Sequence, residues 1–350
     1  MKINWVPNKA INIEKVNELM QKSLETGRFS NGGPNVQLLE HVIREKLEID
    51  DTKAIIVVTN GSVALHSLTT SMEYFHKQRL NWATQSFTFP PSAQGTLSNT
   101  KIVDIDSEGG LNLDELDETI DGIIVTNIFG NIVDIDKYEK WATDNNKYLI
   151  FDNAATPFTF YKGKSSCNYG NGSTVSFHHT KPLGFGEGGA IIVNKKYEQT
   201  IRKINNFGID LTDEYYLREG NNYKMSDIAA IYIIQYLDNF ETIVEKHKEL
   251  YKYFKSQILD KELQLKLFPS FHDNNNIIPS CFCLLFNKPE TSYEIEKKLL
   301  ENDIFCRKYY HPLKETKNTL QIFNKILCLP CNIDMKKEDI DHIIKLIKSY

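Results

Sequence analysis

The sequence predicts an α/β protein in two parts: a large three-layer αβα domain on a mostly parallel sheet, and a small α+β domain at the C-terminus. Two observations support this prediction. Strand-like and helix-like patterns alternate between residues 54 and 152, which is typical of a parallel sheet covered by helices on both faces. Beyond residue 226 a long helical pattern precedes a short mixture of strands and helices. The 350 residues can bury cores of this size.

The large domain is predicted to begin with two amphipathic helices. Apolar residues recur at helical spacing over residues 13–24, and the pattern stops at Gly27. A second helical pattern follows Pro34 and reaches Leu47. The alternating units after them are a strand at 54–58, a helix ending at 74, a strand at 102–105, a helix at 114–120, a strand at 122–128, a helix at 135–145 and a strand at 148–152.

The small domain is predicted to start within a long helix that covers residues 226 to about 259. We place the boundary there, which gives a large domain of residues 1–239, with an N-terminal arm, and a small domain of residues 240–350. The elements expected beyond the helix are a strand at 281–286, a helix at 292–302, a strand at 326–329 and a helix at 338–348.

Composition excludes several classes of partner. The net charge of −5 argues against nucleic acid or an anionic membrane as the main partner. No apolar run approaches the roughly 18–20 residues of a membrane span, and the N-terminal residues lack a signal-peptide core, so we expect a cytoplasmic protein. The six cysteines are too sparse for a disulfide framework and are expected to be reduced. Cys328 and Cys331 have the spacing of a zinc knuckle but lie far from any second such pair, so no metal site is expected.

Lys181 is the first candidate for chemistry. It lies in a polar turn between two β-like runs, next to Thr180 and Pro182, and a glycine cluster follows it. A lysine at a strand end can be partly desolvated, which lowers its pKa and makes the neutral amine available for Schiff-base chemistry. The alternative is a surface lysine in a flexible loop, because the chain holds 41 lysines and arginines.

Asp152 favours a chemical role for Lys181 over that of a surface lysine. It ends the apolar run of residues 148–151, at the carboxyl end of a predicted buried strand, where open α/β sheets bind ligands. A carboxylate and a lysine at strand ends suit pyridoxal phosphate (PLP), because the lysine can hold the aldehyde and the carboxylate can keep the pyridine nitrogen protonated.

Two glycine motifs have different interpretations. Asn60, Gly61 and Ser62 lead from a predicted strand into a helix and offer backbone N–H groups to a cofactor phosphate, although this motif alone is better explained as an ordinary helix cap by Asn60 or Ser62. Residues 184–189 imitate the G-x-G-x-x-G pattern of dinucleotide sites. That pattern needs a helix after the glycines, whereas the residues that follow read as a strand, so a nicotinamide cofactor is rejected.

Taken in order, motifs along nearly the whole chain resemble those of the DegT/StrS class of nucleotide-sugar aminotransferases, PLP enzymes of fold type I with the aspartate aminotransferase fold. The motifs are Thr26-Gly27 before Gly32-Gly33-Pro34, residues 59–65 (TNGSVAL), 103–106 (VDID), 129–134 (FGNIVD), 176–181 (SFHHTK), 186–189 (GEGG), 222–226 (NYKMS) and 327–330 (LCLP).

The resemblance implies roles for individual residues. Lys181 would hold PLP covalently and shuttle protons, and Asp152 would pair with the pyridine nitrogen. The other cofactor-binding residues would be Gly61, Ser62 and Ser176 at the phosphate, Phe89 on the ring, and Asn222 donated to the phosphate by the second subunit of a homodimer. Phe89 reads nearly as well as a core phenylalanine.

One position departs from the family pattern. Where the family usually has a glutamine that contacts the ring hydroxyl of the cofactor, this chain has Ala155. That contact must be absent or replaced, and the hydroxyl of the neighbouring Thr156 is one candidate.

The same resemblance implies the reaction. An amino group would move from glutamate to a nucleotide-linked keto sugar, with UDP- or dTDP-4-keto-6-deoxyglucose as the acceptor and a 4-amino-4,6-dideoxy sugar for surface glycans as the product. Arg307, Tyr309 and His311 lie in a segment that family members place near the sugar nucleotide. Two alternatives stay open: a non-catalytic regulator that binds PLP or a sugar nucleotide, and a PLP-dependent sugar dehydratase. The dehydratase is disfavoured because it has a histidine where Lys181 stands.

Overall fold

The computed structural model describes residues 2–209, 216–258, 265–269 and 277–349. Within these ranges the largest sheet has seven strands in the order β1-β9-β8-β5-β4-β2-β3. Five neighbouring strands, β8, β5, β4, β2 and β3, are parallel to one another. β9 is antiparallel to both of its neighbours. The strands are β1 Lys53–Val58, β2 Trp82–Gln85, β3 Lys101–Val103, β4 Gly122–Thr126, β5 Tyr148–Asp152, β8 Gly172–Ser176 and β9 Gly189–Asn194, and the separate hairpin is β6 Phe160–Tyr161 with β7 Lys164–Ser165.

Ten helices of the described ranges surround the strands. Those of the first 239 residues are α1 Ile13–Thr26, α2 Pro34–Lys46, α3 Gly61–His76, α4 Ile135–Asp144, α5 Glu198–Asn205 and α6 Asp227–Leu237. The later ones are α7 Phe240–Ile258, α8 Pro289–Glu301, α9 Lys317–Lys325 and α10 Lys337–Lys348. None of the helices in the described part of the chain is both long and apolar enough to cross a bilayer.

The predicted three layers are present because the sheet is apolar on both faces. Ile55, Val57 and Ile192 face one side, where α1, α2 and α6 cover them. Ile56 and Ile191 face the other side, in the core that α3 and α5 complete. Side chains alternate between the faces of a strand, so an uninterrupted apolar run buries both faces at once.

The small unit has its own core. Its sheet has the order β10-β11-β12, with β10 at Leu265–Leu267, β11 at Cys281–Phe286 and β12 at Ile326–Pro330. Helices α7, α8 and α10 bury apolar residues against this sheet, and Ile3 of the N-terminal arm joins them. The fold class predicted from the sequence is therefore confirmed.

Two predicted helices differ from the structure. The helix expected at residues 114–120 is a single 3-10 turn, Leu113–Glu115, followed by an irregular segment. There Asp117 accepts hydrogen bonds from the backbone N–H of Thr119 and from the ammonium of Lys101, and such local side-chain bonds compete with helix formation. The predicted helix from 226 to 259 is broken between α6 and α7 at Asp238 and Asn239, and residue 259 lies outside the described ranges.

The proposed domain boundary between residues 239 and 240 falls at this break. It stays a prediction, because α7 contributes to both cores. Ile243 and Val244 belong to the core of the large sheet, whereas Leu250 and Phe254 belong to that of the small sheet. Six regular elements, β2, β6, β7, α5, α9 and β10, were not predicted; the four strands among them have two to four residues each, which is too short for a clear periodic pattern.

Asp227, the first residue of α6, ties three helices together. Its buried carboxylate accepts hydrogen bonds from the Ser23 hydroxyl at 2.6 Å, the Asn35 side-chain amide at 2.8 Å and the Val36 backbone N–H at 2.8 Å. Ser23 lies in α1, and the other two donors lie in α2. The Asp227 carboxylate thus holds α1, α2 and α6 together, and the last of these helices begins shortly after Asn222.

We expect Asp227→Ala to lower the free energy of unfolding by about 2–4 kcal/mol, because it leaves the buried Ser23 hydroxyl and the Val36 N–H without an acceptor. Asp238→Ala, at the exposed end of the same helix, is the control and should change stability by less than about 0.5 kcal/mol. Urea unfolding measures both. Equal midpoints for the two variants would show that the Asp227 network does not stabilise the fold.

Candidate active site

A cavity of about 690 Å³ opens at the carboxyl ends of β4, β5 and β8, where the large sheet meets the small unit. Thr126, Asp152 and Ser176 are the last residues of these three strands, and all three line the cavity. Of the ten residues predicted for the site, eight line the cavity, with Asp152 and Ser176 among them. The eight are Gly61, Ser62, Phe89, Asp152, Ser176, Lys181, Arg307 and Tyr309. The sheet topology explains this meeting, because parallel strands end at a common edge.

Lys181 lies in the turn between β8 and β9, as the sequence predicts. The turn is held by its own backbone: the Lys181 N–H donates to the His178 carbonyl at 2.8 Å, and the Gly184 N–H donates to the Lys181 carbonyl at 3.0 Å. A Cβ at Gly184 would clash with the His178 carbonyl, so only glycine closes the turn this tightly. Burial lowers the pKa of the Lys181 amine, and attraction from Asp152 opposes that shift.

Asp152 lies on the floor of the cavity and is 9% exposed. Its Oδ1 accepts hydrogen bonds from the Ala154 backbone N–H at 3.0 Å and from the Thr174 hydroxyl at 3.2 Å. Burial raises the pKa of the carboxyl group, whereas the Ala154 N–H, the Lys181 ammonium and the Thr174 hydroxyl lower it. A protonated ring nitrogen would be a further cationic partner, so the carboxylate suits the pyridine of PLP.

The N-terminus of α3 provides the anion-binding part of the site. The Asn60 side chain caps the helix by accepting from the Val63 N–H at 2.9 Å. The first N–H groups of a helix, here those of Gly61 and Ser62, have no acceptor within the helix and can bind an anion. A Cβ at Gly61 would lie 2.8 Å from the Ser176 Cβ, so this glycine lets β8 approach the helix end. An amine, a carboxylate and a phosphate cradle thus surround one cavity, and these residues fit PLP.

Phe89 lines the cavity with 56% of its surface exposed. Its interpretation as a core phenylalanine is therefore wrong. Pro90 begins a 3-10 turn directly after it, and the turn keeps Phe89 at the surface of the cavity. An exposed aromatic face at this place can stack on a planar ring.

Ala155 also lines the cavity, where the family has its glutamine. Thr156 does not replace that contact. Its buried hydroxyl donates to the Asn127 carbonyl at 2.8 Å and accepts from the Gly130 N–H at 3.2 Å, so it supports the backbone behind the cavity.

The segment predicted to bind the sugar nucleotide reaches the cavity in part. Arg307 and Tyr309 line the cavity together with Trp5, which was not predicted. The Arg307 guanidinium lies 5.3 Å from the Trp5 ring centre and donates to the Tyr309 hydroxyl at 2.6 Å. His311 is exposed, packs against Phe323 and is not part of the cavity lining.

Asn222 also lies away from the cavity of its own chain. It is exposed and forms an isolated β-bridge with Asn206. The single chain therefore does not bring it to Lys181, and its assignment to a second subunit stays a prediction.

Lys9 is a residue of the site that sequence reasoning missed. It is 8% exposed, and its ammonium donates to the Lys181 carbonyl at 2.8 Å and also to the Gly184 carbonyl. The same ammonium lies 4.6 Å from the centre of the Tyr236 ring. Burial lowers the pKa of Lys9 to about 7. Lys9 thus fastens the N-terminal arm to the turn that carries Lys181, and no local pattern distinguishes it from the other lysines.

Comparisons with known proteins agree with this geometry. The family model for the DegT/DnrJ/EryC1/StrS aminotransferase family matches residues 10–348. A dTDP-4-amino-4,6-dideoxy-D-glucose transaminase of Shigella dysenteriae is 26% identical over 346 residues, covering 92% of this chain and 91% of the relative. A UDP-4-amino-4,6-dideoxy-N-acetyl-beta-L-altrosamine transaminase of Campylobacter jejuni is 26% identical over 344 residues, covering 88% and 87%.

Among solved structures, Helicobacter pylori PseC, an aminotransferase involved in the biosynthesis of pseudoaminic acid, superposes with a TM-score of 0.87. It is 16% identical and covers 100% of this chain and 99% of its own. At this identity the likeness establishes the fold. The family match extends over nearly the whole chain. The chain therefore belongs to the DegT/DnrJ/EryC1/StrS aminotransferase family and is a PLP-dependent aminotransferase.

Proposed function

We propose that the protein transfers an amino group from glutamate to C4 of a nucleotide-linked 4-keto-6-deoxyhexose, giving a 4-amino-4,6-dideoxy sugar. One observation carries the proposal: Lys181, Asp152 and the N-terminus of α3 meet in one cavity, and Trp5, Arg307 and Tyr309 line that same cavity. The names of two relatives support the sugar, since each contains a 4-amino-4,6-dideoxy hexose on a nucleotide. UDP and dTDP are therefore the nucleotides to test first.

The residues of the chain divide the work. When bound, PLP supplies an aldehyde for the Lys181 amine and a ring that accepts electrons. Burial favours the neutral form of Lys181, so its Nζ can take up a proton and return it during transfer. The Asp152 carboxylate holds a proton on the ring nitrogen, and the N–H groups of Gly61 and Ser62 hold the phosphate.

The substrate end of the cavity suits a nucleotide diphosphate. The guanidinium of Arg307 is the positive group there, and planar guanidinium groups bind phosphate oxygens in pairs. Trp5 and Tyr309 lie beside it and offer faces on which a base can stack. The regulator and dehydratase alternatives gain no support, because the lysine and the carboxylate that catalysis requires are both present and line the same cavity.

Turnover tests the proposal. With glutamate as donor, we expect UDP- or dTDP-4-keto-6-deoxyglucose to be converted and 2-oxoglutarate to be released, with NMR locating the new amine at C4. Lys181→Ala should lower turnover by about 100- to 10,000-fold or more, whereas Lys195→Ala, an exposed lysine just after β9, should not. Amination of 3-keto isomers alone would refute the acceptor, and PLP binding without any turnover would favour a regulator.

Lys9 should act as a positioning residue. We expect Lys9→Met, which keeps the stem but removes both hydrogen bonds, to slow PLP uptake and to lower kcat about 10-fold or more with a smaller change in KM. Borohydride reduction and peptide mass spectrometry measure PLP on Lys181 separately from turnover. Lys9→Arg should restore part of both, and Lys195→Met, at an exposed lysine just after β9, is the control. Unchanged uptake and kcat in Lys9→Met would remove Lys9 from this role.

We also propose that the active enzyme is a homodimer in which Asn222 completes the phosphate site of its partner. In an isologous dimer of Lys181→Ala with Asn222→Ala, one site carries both changes and the other carries neither. After joint unfolding and refolding, about half of the dimers are mixed, so roughly a quarter of wild-type activity should return. Activity that stays at the level of the separate variants, with subunit exchange confirmed, would place Asn222 in its own chain's site or outside both.

A further inference from the structure

Three cysteines converge beneath the cavity floor. Cys281 and Cys283 are two residues apart on β11, so their side chains point to the same face of the sheet. Cys328 is the direct partner of Cys283 on β12. The Cys283 sulfur lies 3.5 Å from the sulfur of Cys281 and 3.5 Å from that of Cys328. All three sulfurs lie within 4.8 Å of one another and are buried.

These distances match a thiolate metal site. Around a tetrahedral zinc ion with Zn–S bonds of 2.3 Å, two sulfurs are about 3.8 Å apart, so small side-chain rotations would seat an ion among the three. Soft thiolate ligands select zinc, cadmium or copper(I) over magnesium or calcium. In the described part of the chain, this is the one group of three or more histidine, cysteine or acidic side chains with such spacing.

Buried cysteines often serve as small apolar residues, and all six in this chain pack within hydrophobic cores. Cys167 and Cys306 lie apart from the cluster, and the Cys331 sulfur contacts the Nδ1 of His247 at 3.4 Å. The zinc-knuckle spacing of Cys328 and Cys331 is therefore misleading, because only Cys328 faces the cluster. What distinguishes the cluster is its access: Cys281 lines the same cavity as Lys181.

We propose that Cys281, Cys283 and Cys328 bind one thiophilic cation of the zinc class, with its fourth coordination position directed into the cavity. Three protein ligands plus one open position are the arrangement in which zinc accepts an exogenous ligand. An ion there would lie beside Lys181 and obstruct the approach of the PLP aldehyde to its amine. The proposal replaces the sequence-based expectation that the chain has no metal site. The site would make aminotransferase activity sensitive to free soft metal ions.

Cadmium is the probe for binding. The reduced, chelator-treated full chain should bind one Cd²⁺ with the ultraviolet charge-transfer absorption of three thiolates. Cys283→Ser and Cys328→Ser should each weaken binding by more than about 100-fold, since even changes outside the ligand shell cost 10- to 100-fold. Cys306→Ser, which changes a buried thiol of the same unit outside the cluster, should bind like the wild type. Equal loss in all three variants, or no bound ion in the wild type, would overturn the site.

Wild-type protein provides a test that needs no variant. X-ray absorption at the zinc edge should show three sulfur neighbours per bound ion at about 2.3 Å. A shell of nitrogen and oxygen, or fewer than three sulfurs, would contradict the proposal even if the serine variants fail to fold.

The orientation of the open position has its own readout. One equivalent of Cd²⁺ should slow covalent uptake of PLP by Lys181, measured by borohydride trapping, in the wild type and in Cys306→Ser but not in Cys283→Ser. If PLP uptake is equally fast with the ion bound, the ion does not face the cavity, and that part of the proposal is wrong. None of the three measurements, cadmium binding, X-ray absorption and PLP uptake, uses a keto-sugar substrate. The proposed acceptor and this site can therefore fail independently.

Discussion

The electrostatic interaction between Lys181 and Asp152, which line the same cavity, is the constraint on which the site depends. A buried ammonium and a buried carboxylate each lose hydration, and they are tolerable together because each lowers the electrostatic cost of the other. The pair is supported from behind by the Ala154 N–H and the Thr174 hydroxyl, which hold the carboxylate at the end of β5. Burial lowers the pKa of Lys181 and so favours the neutral amine that PLP chemistry needs, and the desolvation that costs stability thereby serves the proposed function.

Lys181 and Asp152 are held in place because several elements of the fold meet at one edge of the sheet. β4, β5 and β8 end there, α3 begins there, and the turn after β8 folds back because Gly184 and Gly189 allow close backbone contacts. Lys9 adds an anchor from the other side of that turn. The N-terminal arm thereby takes part both in holding Lys181 and, through Trp5, in lining the cavity.

The small unit forms one side of the cavity, and hydrogen bonds to Asp104 join it to the large sheet. This carboxylate follows β3 and accepts hydrogen bonds from the Thr316 hydroxyl at 2.7 Å and from the Asn318 N–H at 2.8 Å, at the start of α9. An acidic group at a helix N-terminus is favoured by the helix dipole. Because Arg307, Tyr309 and the cysteine cluster all belong to this unit, such contacts decide how close they lie to Lys181.

The sequence by itself determined the fold class, the strands that carry Asp152 and precede Lys181, and eight of the residues that line the cavity. These features were readable because they are local: apolar runs mark buried strands, and chemistry-bearing residues follow at their carboxyl ends. The tertiary structure decided what depends on distant segments. It showed that Phe89 is exposed, that His311 is outside the cavity, that Thr156 is engaged elsewhere, and that residues 114–120 do not form a helix. Lys9 and the three cysteines became meaningful only through contacts across 172 and 45 residues, respectively, because no periodicity along the chain records which side chains meet after folding.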